Sequence, residues 1–151
     1  MKTEIHDLFE RLAEVEESLG AKLQPPCSAE QVESLRARAR AELAAELPSG
    51  YTELLCLTDG IEWDGLTIYG SRTSPAVDKP EYSIPGFVEA NRRWREYDPN
   101  GSFLFFGEAD DDMFVFNLSE SRYEITERQS RVIETFRTFE ELLAEALRPR
   151  L

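Results

Sequence analysis

The chain has one histidine, His6, and two cysteines, Cys27 and Cys56, among 151 residues. A Ser–His or Cys–His nucleophile needs a base within hydrogen-bond reach and a third group to orient it, and no motif brings such partners to His6. The cysteines lack metal-ligand spacing and are too few for the disulfide framework of a secreted chain, so both are expected reduced, with Cys56 as core filling on a helix at 48–58. No P-loop or GxGxxG is present to cradle nucleotide phosphates. There is no apolar run of membrane length, no cationic leader and no lipidation motif, which gives a cytoplasmic reading. Positive charge is also scarce: 17 Lys and Arg face 30 Asp and Glu, a net charge of −13. Phosphate backbones and anionic lipids reward Lys and Arg, so nucleic acid and membrane are poor partners. Carboxylates are too abundant to single out an acid/base pair. The chain reads as a non-enzyme without metal or cofactor.

With 41% hydrophobic residues, the chain has the means to fold as one domain over 1–151 and to bury about 68–70% of its unfolded surface. Its organising stretch is LPSGYTELLCLTDGIEWDGLTIYG, Leu47 to Gly70. Pro48 suits a helix start, Tyr51, Leu54 and Leu55 share one face, and Asp59-Gly60 is expected to end the helix. Asp64-Gly65 marks a turn into a strand at 66–69.

Helices dominate the N-terminal part, 1–46. Ile5, Leu8, Phe9, Leu12, Val15 and Leu19 form a stripe over 3–20, with Gly20 as the stop. Pro25-Pro26 breaks the chain, and Ser28 with Gln31 opens a second helix in a capping box, striped by Val32, Leu35, Ala39 and Leu43. Residues 71–86 read as a loop and a second candidate binding element. A helix follows from about Pro85 to Tyr97. Its Trp94, between arginines, is either a core anchor or a stacking platform for bases, and the local acids favour the anchor. Asp98-Pro99-Asn100-Gly101 is a turn. Strands are expected at 103–106, 113–117 and 121–125, and a further one near 131–134. Thr138 and Glu141 cap the last helix. The fold class is therefore α+β, an antiparallel sheet of about four to six strands with N-terminal helices and a C-terminal helix packed on it.

The acids are unevenly placed. From Arg40 to Arg72 no base interrupts Glu42, Glu46, Glu53, Asp59, Glu62 and Asp64. From Arg95 to Arg122 none interrupts Glu96, Asp98, Glu108, Asp110, Asp111, Asp112 and Glu120. Two readings fit these windows: a solubilising surface, or an acidic face for a basic partner. The Glu108–Asp112 turn lacks the alternating register and distal Glu of an EF-hand loop, so a solvated hairpin tip and a protein-contact cluster both come ahead of a metal site.

The LP-x-x-Y…LL…DG pattern followed by L-x-I-Y-G resembles the SUKH superfamily, which includes fungal cell-wall-assembly regulators. FLFFGEADDDMFVFN (Phe103 to Asn117) resembles that family's paired central strands, and TFEELLAEAL (Thr138 to Leu147) its closing helix. The spacer with Asn91 and Trp94-Arg95 resembles the bacterial YrhA-like branch. The resemblance spans about residues 47–148; Asp59-Gly60 stands where the family often has Asn-Gly, and Ala109 to Asp112 where it often has a glycine-rich turn. It implies an immunity protein that neutralises a polymorphic toxin by stoichiometric binding, or else a regulatory scaffolding adaptor of the same fold; a small-ligand or enzymatic role comes third. A toxin acting on nucleic acid, such as a nuclease, presents a basic groove that an acidic face can fill. The expected contact residues are Asp59, Glu62, Trp63 and Asp64 with Glu108, Asp110, Asp111 and Asp112. Trp63 is either their apolar anchor or a packed strand-edge side chain.

Overall fold

The computed structural model describes residues 3–128 and 131–151. Thr3 caps α1 (Glu4–Ser18) by accepting from the His6 amide at 3.1 Å, and Ile5, Leu8 and Leu12 bury one face of it. The helix ends before Gly20, whose φ of +75° is open to glycine at little cost. Leu19, expected in the buried stripe, lies just past the helix and is 70% exposed. The capping box of Ser28 and Gln31 opens α2 (Ala29–Leu43), whose four expected stripe residues are all buried.

In α3 (Ser49–Leu55), Pro48 sits at the cap position. The helix stops well short of Asp59-Gly60, because its last carbonyl, Leu55, is taken by the Cys27 amide at 2.8 Å from the proline-broken segment. Cys56 therefore faces solvent and Cys27 is the buried thiol, the reverse of the core role expected for Cys56.

Six strands form one antiparallel sheet: β1 (Ile61–Trp63), β2 (Leu66–Ile68), β5 (Phe103–Ala109), β6 (Asp112–Asn117), β7 (Arg122–Glu127) and β8 (Val132–Phe136). Their spatial order is β1-β2-β5-β6-β7-β8, so β2 reaches across some forty positions of sequence to pair with β5, Leu66 opposite Ala109. Between them come a two-residue pair, β3 (Ser74–Pro75) with β4 (Ser83–Ile84), inside the expected loop, and α4 (Phe87–Trp94). The sheet continues further than the sequence suggested. A bulge at Phe105–Gly107 lets Gly107 and Glu108 go on pairing with Phe114 and Met113, which shortens the turn to Asp110-Asp111. Gly107 is needed here, since a Cβ on it would lie 2.3 Å from the Thr67 carbonyl oxygen.

The closing helix α5 (Phe139–Leu147) has its full capping box from Thr138 and Glu141 and runs into a tight turn, Arg148–Arg150. It packs against α1, α3 and the β7–β8 side of the sheet. The centre of the core is aromatic: Tyr51, Phe87, Phe106, Tyr123 and Phe139 form a continuous set of ring pairs with centroids 5.1–6.3 Å apart. Edge-on and tilted pairs at such spacings add about 0.5–1.5 kcal/mol each beyond burial. Tyr51 also donates its hydroxyl hydrogen to the Tyr69 carbonyl at 2.7 Å, which ties α3 to the end of β2.

On the other side of β5, α4 is fixed by Asn91, whose amide side chain accepts from the Phe105 N–H at 2.8 Å and donates to the Phe105 carbonyl at 2.9 Å. Trp94 stacks on Phe105 at 5.5 Å, and its indole N–H donates to the Tyr69 hydroxyl at 3.0 Å. Tyr69 in turn donates to Glu108 at 2.7 Å. This is the anchoring role for Trp94. Among the described residues, no helix is long and apolar enough to cross a membrane.

Candidate functional site

Two features of the fold meet at the β1 end of the sheet: a pair of acidic hairpin tips and a cleft beside them. The first tip is Asp64-Gly65, which joins β1 to β2 with both residues at positive φ, the twist-matched two-residue hairpin expected of Asp-Gly. The second is Asp110-Asp111, with Asp110 at φ 49°. The β2–β5 pairing sets them side by side, and a Cβ on Gly65 would lie 3.8 Å from Asp110 Oδ1. The two base-free windows of the sequence thus converge in space.

They converge with counter-charges that the sequence places elsewhere. Arg128 donates through its backbone N–H to the Asp111 carbonyl at 2.9 Å and through Nε to the Asp110 carbonyl at 3.1 Å, and its Nη2 lies 3.5 Å from Glu108 Oε1. Arg150 donates to the carbonyls of Asp64 at 3.0 Å and Ala146 at 2.9 Å. Both guanidinium groups are used largely on backbone oxygens. Among the described residues, the carboxylates of Glu62, Asp64, Asp110, Asp111 and Asp112 form no ion pair. Asp112 is half-buried, and burial first, then Asp111, Glu127 and Asp110, raises its pKa.

Seven of the eight expected contact residues separate into three groups, and the eighth is the half-buried Asp112. Glu62, Trp63 and Asp64 lie together at the cleft, with Asp110 and Asp111 exposed next to them. Glu108 is half-committed, bound by Tyr69 and facing Arg128. Asp59 is occupied in holding the fold. Its two oxygens accept from the Ser71 N–H at 2.6 Å and the Ser71 hydroxyl at 2.9 Å, which staples the chain leaving β2. Trp63 is half-buried, with its indole N–H 3.5 Å from the Arg150 carbonyl, so it is both packed and presented.

The cleft has a volume of about 540 Å³. Its walls are the last turn of α1, residues 21–24, β1 with Asp64, residues 76–79, and residues 149–151. Gln24 holds two of these walls together, donating to the Pro75 carbonyl at 3.2 Å and accepting from the Val77 amide. The Asp78 carboxylate accepts from the Lys22 amide. Among the lining residues is Glu16, a buried residue only 4% exposed. Burial pushes its pKa up to about 7, and the nearby Asp78 and Glu62 carboxylates push the same way. Among the described residues, no donor hydrogen-bonds to its side chain. Sequence reasoning did not single out Glu16. The available signal was its place one helical repeat after Leu12, where an apolar residue would continue the stripe.

A smaller hollow of about 260 Å³, walled by Trp94, Tyr97, Phe103, Phe105 and Met113, opens where α4 leaves the sheet. Among the described residues, no group of three or more His, Cys, Asp or Glu is arranged to hold a metal ion. No protein-family model matches the chain, and no curated protein sequence matches it significantly.

Proposed function

We propose that this protein is a non-catalytic binding domain of the immunity type, which neutralises a basic toxin domain by one-to-one binding at the acidic end of its sheet. The observation that supports this reading best is the meeting of Glu62, Trp63 and Asp64 with Asp110 and Asp111, from two distant windows of sequence, at one end of the fold. A surface of unpaired carboxylates around one half-exposed tryptophan suits a basic partner, because opposite potentials speed encounter and an aromatic ring inside a polar rim supplies the lasting contact. The resemblance to the SUKH superfamily points the same way.

The test is co-expression with a toxin domain encoded next to this protein, scored by growth, followed by affinity measurements at low and high salt. The expected result is rescue by a one-to-one complex whose affinity falls at least about tenfold with added salt. Reversing Asp111 to lysine should slow association and leave thermal stability within about 0.5 kcal/mol of the parent, as its side chain is exposed. Several weaker partners without protection would instead identify an adaptor.

A further inference from the structure

Glu16 is not needed where it is. Its carboxylate has no protein partner and, although the residue is buried, its oxygens are not sealed from solvent; with Asp78 and Glu62 nearby, ionisation there is disfavoured, and a leucine would continue the α1 stripe. Glu16 lines an open cleft whose volume lies within the range of about 300–1,000 Å³ found for ligand sites. Val15, Leu23, Ile61 and the Trp63 ring make parts of its walls apolar, and the carboxylates of Glu62 and Asp78 lie near Glu16.

We infer that this cleft receives one basic side chain, a guanidinium or ammonium group on an aliphatic stem, with Glu16 as its counter-ion. The inference rests on the proposed basic partner and names how that partner is gripped. The stem would lie along the apolar walls while the charged head reaches the carboxylates, with the Trp63 face available for a cation–π contact. A neutral ligand would leave Glu16 unpaired, and an anion would face Glu16, Glu62, Asp64 and Asp78 together. The protein's own cations leave the position open. Arg150 is held by the Asp64 and Ala146 carbonyls, while the side chains of Lys22 and Lys79 are exposed and, among the described residues, form no ion pair. Filling the cleft with a cation favours ionised Glu16, so loading would release a proton near neutral pH.

The experiment is a titration of the full chain with N-acetyl-arginine methylamide and, separately, its neutral isostere N-acetyl-citrulline methylamide. Binding is followed by NMR at the Trp63 indole and the 60–64 amides. The arginine probe should give saturable shifts with a dissociation constant in the millimolar range, and the citrulline probe should bind at least about tenfold more weakly. Affinity should rise between about pH 6 and 8 in the parent and become flat in Glu16→Gln. Asp78, Glu62, Asp64, Lys22, Lys79 and Arg150 also face the cleft, so it is the difference between parent and variant that reports Glu16. Glu62→Gln, on half-exposed β1, provides a second variant with an expected few-fold loss. Equal binding of both probes, no saturable binding, or unchanged affinity in both variants would overturn the inference. Growth rescue with an unresponsive cleft would leave the immunity reading standing on the hairpin tips alone. A responsive cleft without rescue would reject that reading and keep the site.

Discussion

Replacing Glu16 by glutamine should change the pH dependence of stability in a calculable way. The Glu16 pKa rises from 4.5 to about 7 on folding. The folded state therefore holds this proton more tightly than the unfolded chain. The associated stability is fully present below pH 4.5 and is lost as pH rises through 7. At about 1.4 kcal/mol per unit, the whole loss is at most about 3 kcal/mol, and solvent in the open cleft screens part of it. Glutamine keeps the shape without the titration. Relative to the parent, the variant should therefore gain about 1–2 kcal/mol between about pH 5.5 and 8.5, or roughly 2–8 °C in Tm for a chain of this size. The mutual repulsion of the other acids and the raised carboxyls of Asp112 and Glu140 are common to both proteins and cancel in the difference. Urea unfolding at the two pH values supplies the measurement, with m checked for constancy. The buried amide has its own cost, but that offset does not vary with pH. Parallel stability curves would refute the reasoning and show that Glu16 is hydrated in the cleft rather than desolvated.

Two further outcomes follow from the core. Cys56 should react with a thiol reagent in the native protein, whereas Cys27, buried and with its pKa pushed up to about 12, should react only as fast as the chain opens; two fast thiols would contradict this. Gly107→Ala should cost about 3 kcal/mol in denaturant unfolding because its Cβ meets β2 backbone, whereas Gly20→Ala, which meets nothing, should cost only the left-handed penalty of about 1–2 kcal/mol.

The sequence was most legible where the determining contacts are local. The capping boxes at Ser28 and Thr138, the α2 stripe and the Asp64-Gly65 turn each depend on residues within a few positions of one another. Legibility ended where a distant partner decides. The α3 terminus is set by Cys27, from the other side of a proline break, so the helix does not reach the Asp59-Gly60 stop. Strands of two or three residues, such as β1 and β3, are too short for alternation to register. Asp59 reads as a contact residue because Ser71, twelve positions on, gives no sign that it will hold that carboxylate. The acidic windows are acidic in space as in sequence. Their guanidinium neighbours, Arg128 and Arg150, arrive only through the β6–β7 pairing and the turn after α5. Glu16 drew no reading from the sequence, yet the fold buries the residue beside a cleft.

The Asn91 contact with Phe105 also governs how the sheet can grow. Beyond Gly107, β2 has turned away from β5, and Phe105 would be left with an unmatched peptide group on that side. Asn91 supplies a donor and an acceptor in its place, acting as a strand one residue long. At the far margin, β1 is only three residues long, and the indole of Trp63 is turned to Arg150. What remains is β8, which pairs with β7 along one side and exposes Val132 and Ile133. Any added strand, whether from another molecule or from an aggregate, would have to nucleate there. Aggregation of this protein should therefore be governed at β8, at the other edge of the sheet from β1, and charge placed at Ile133 would suppress it.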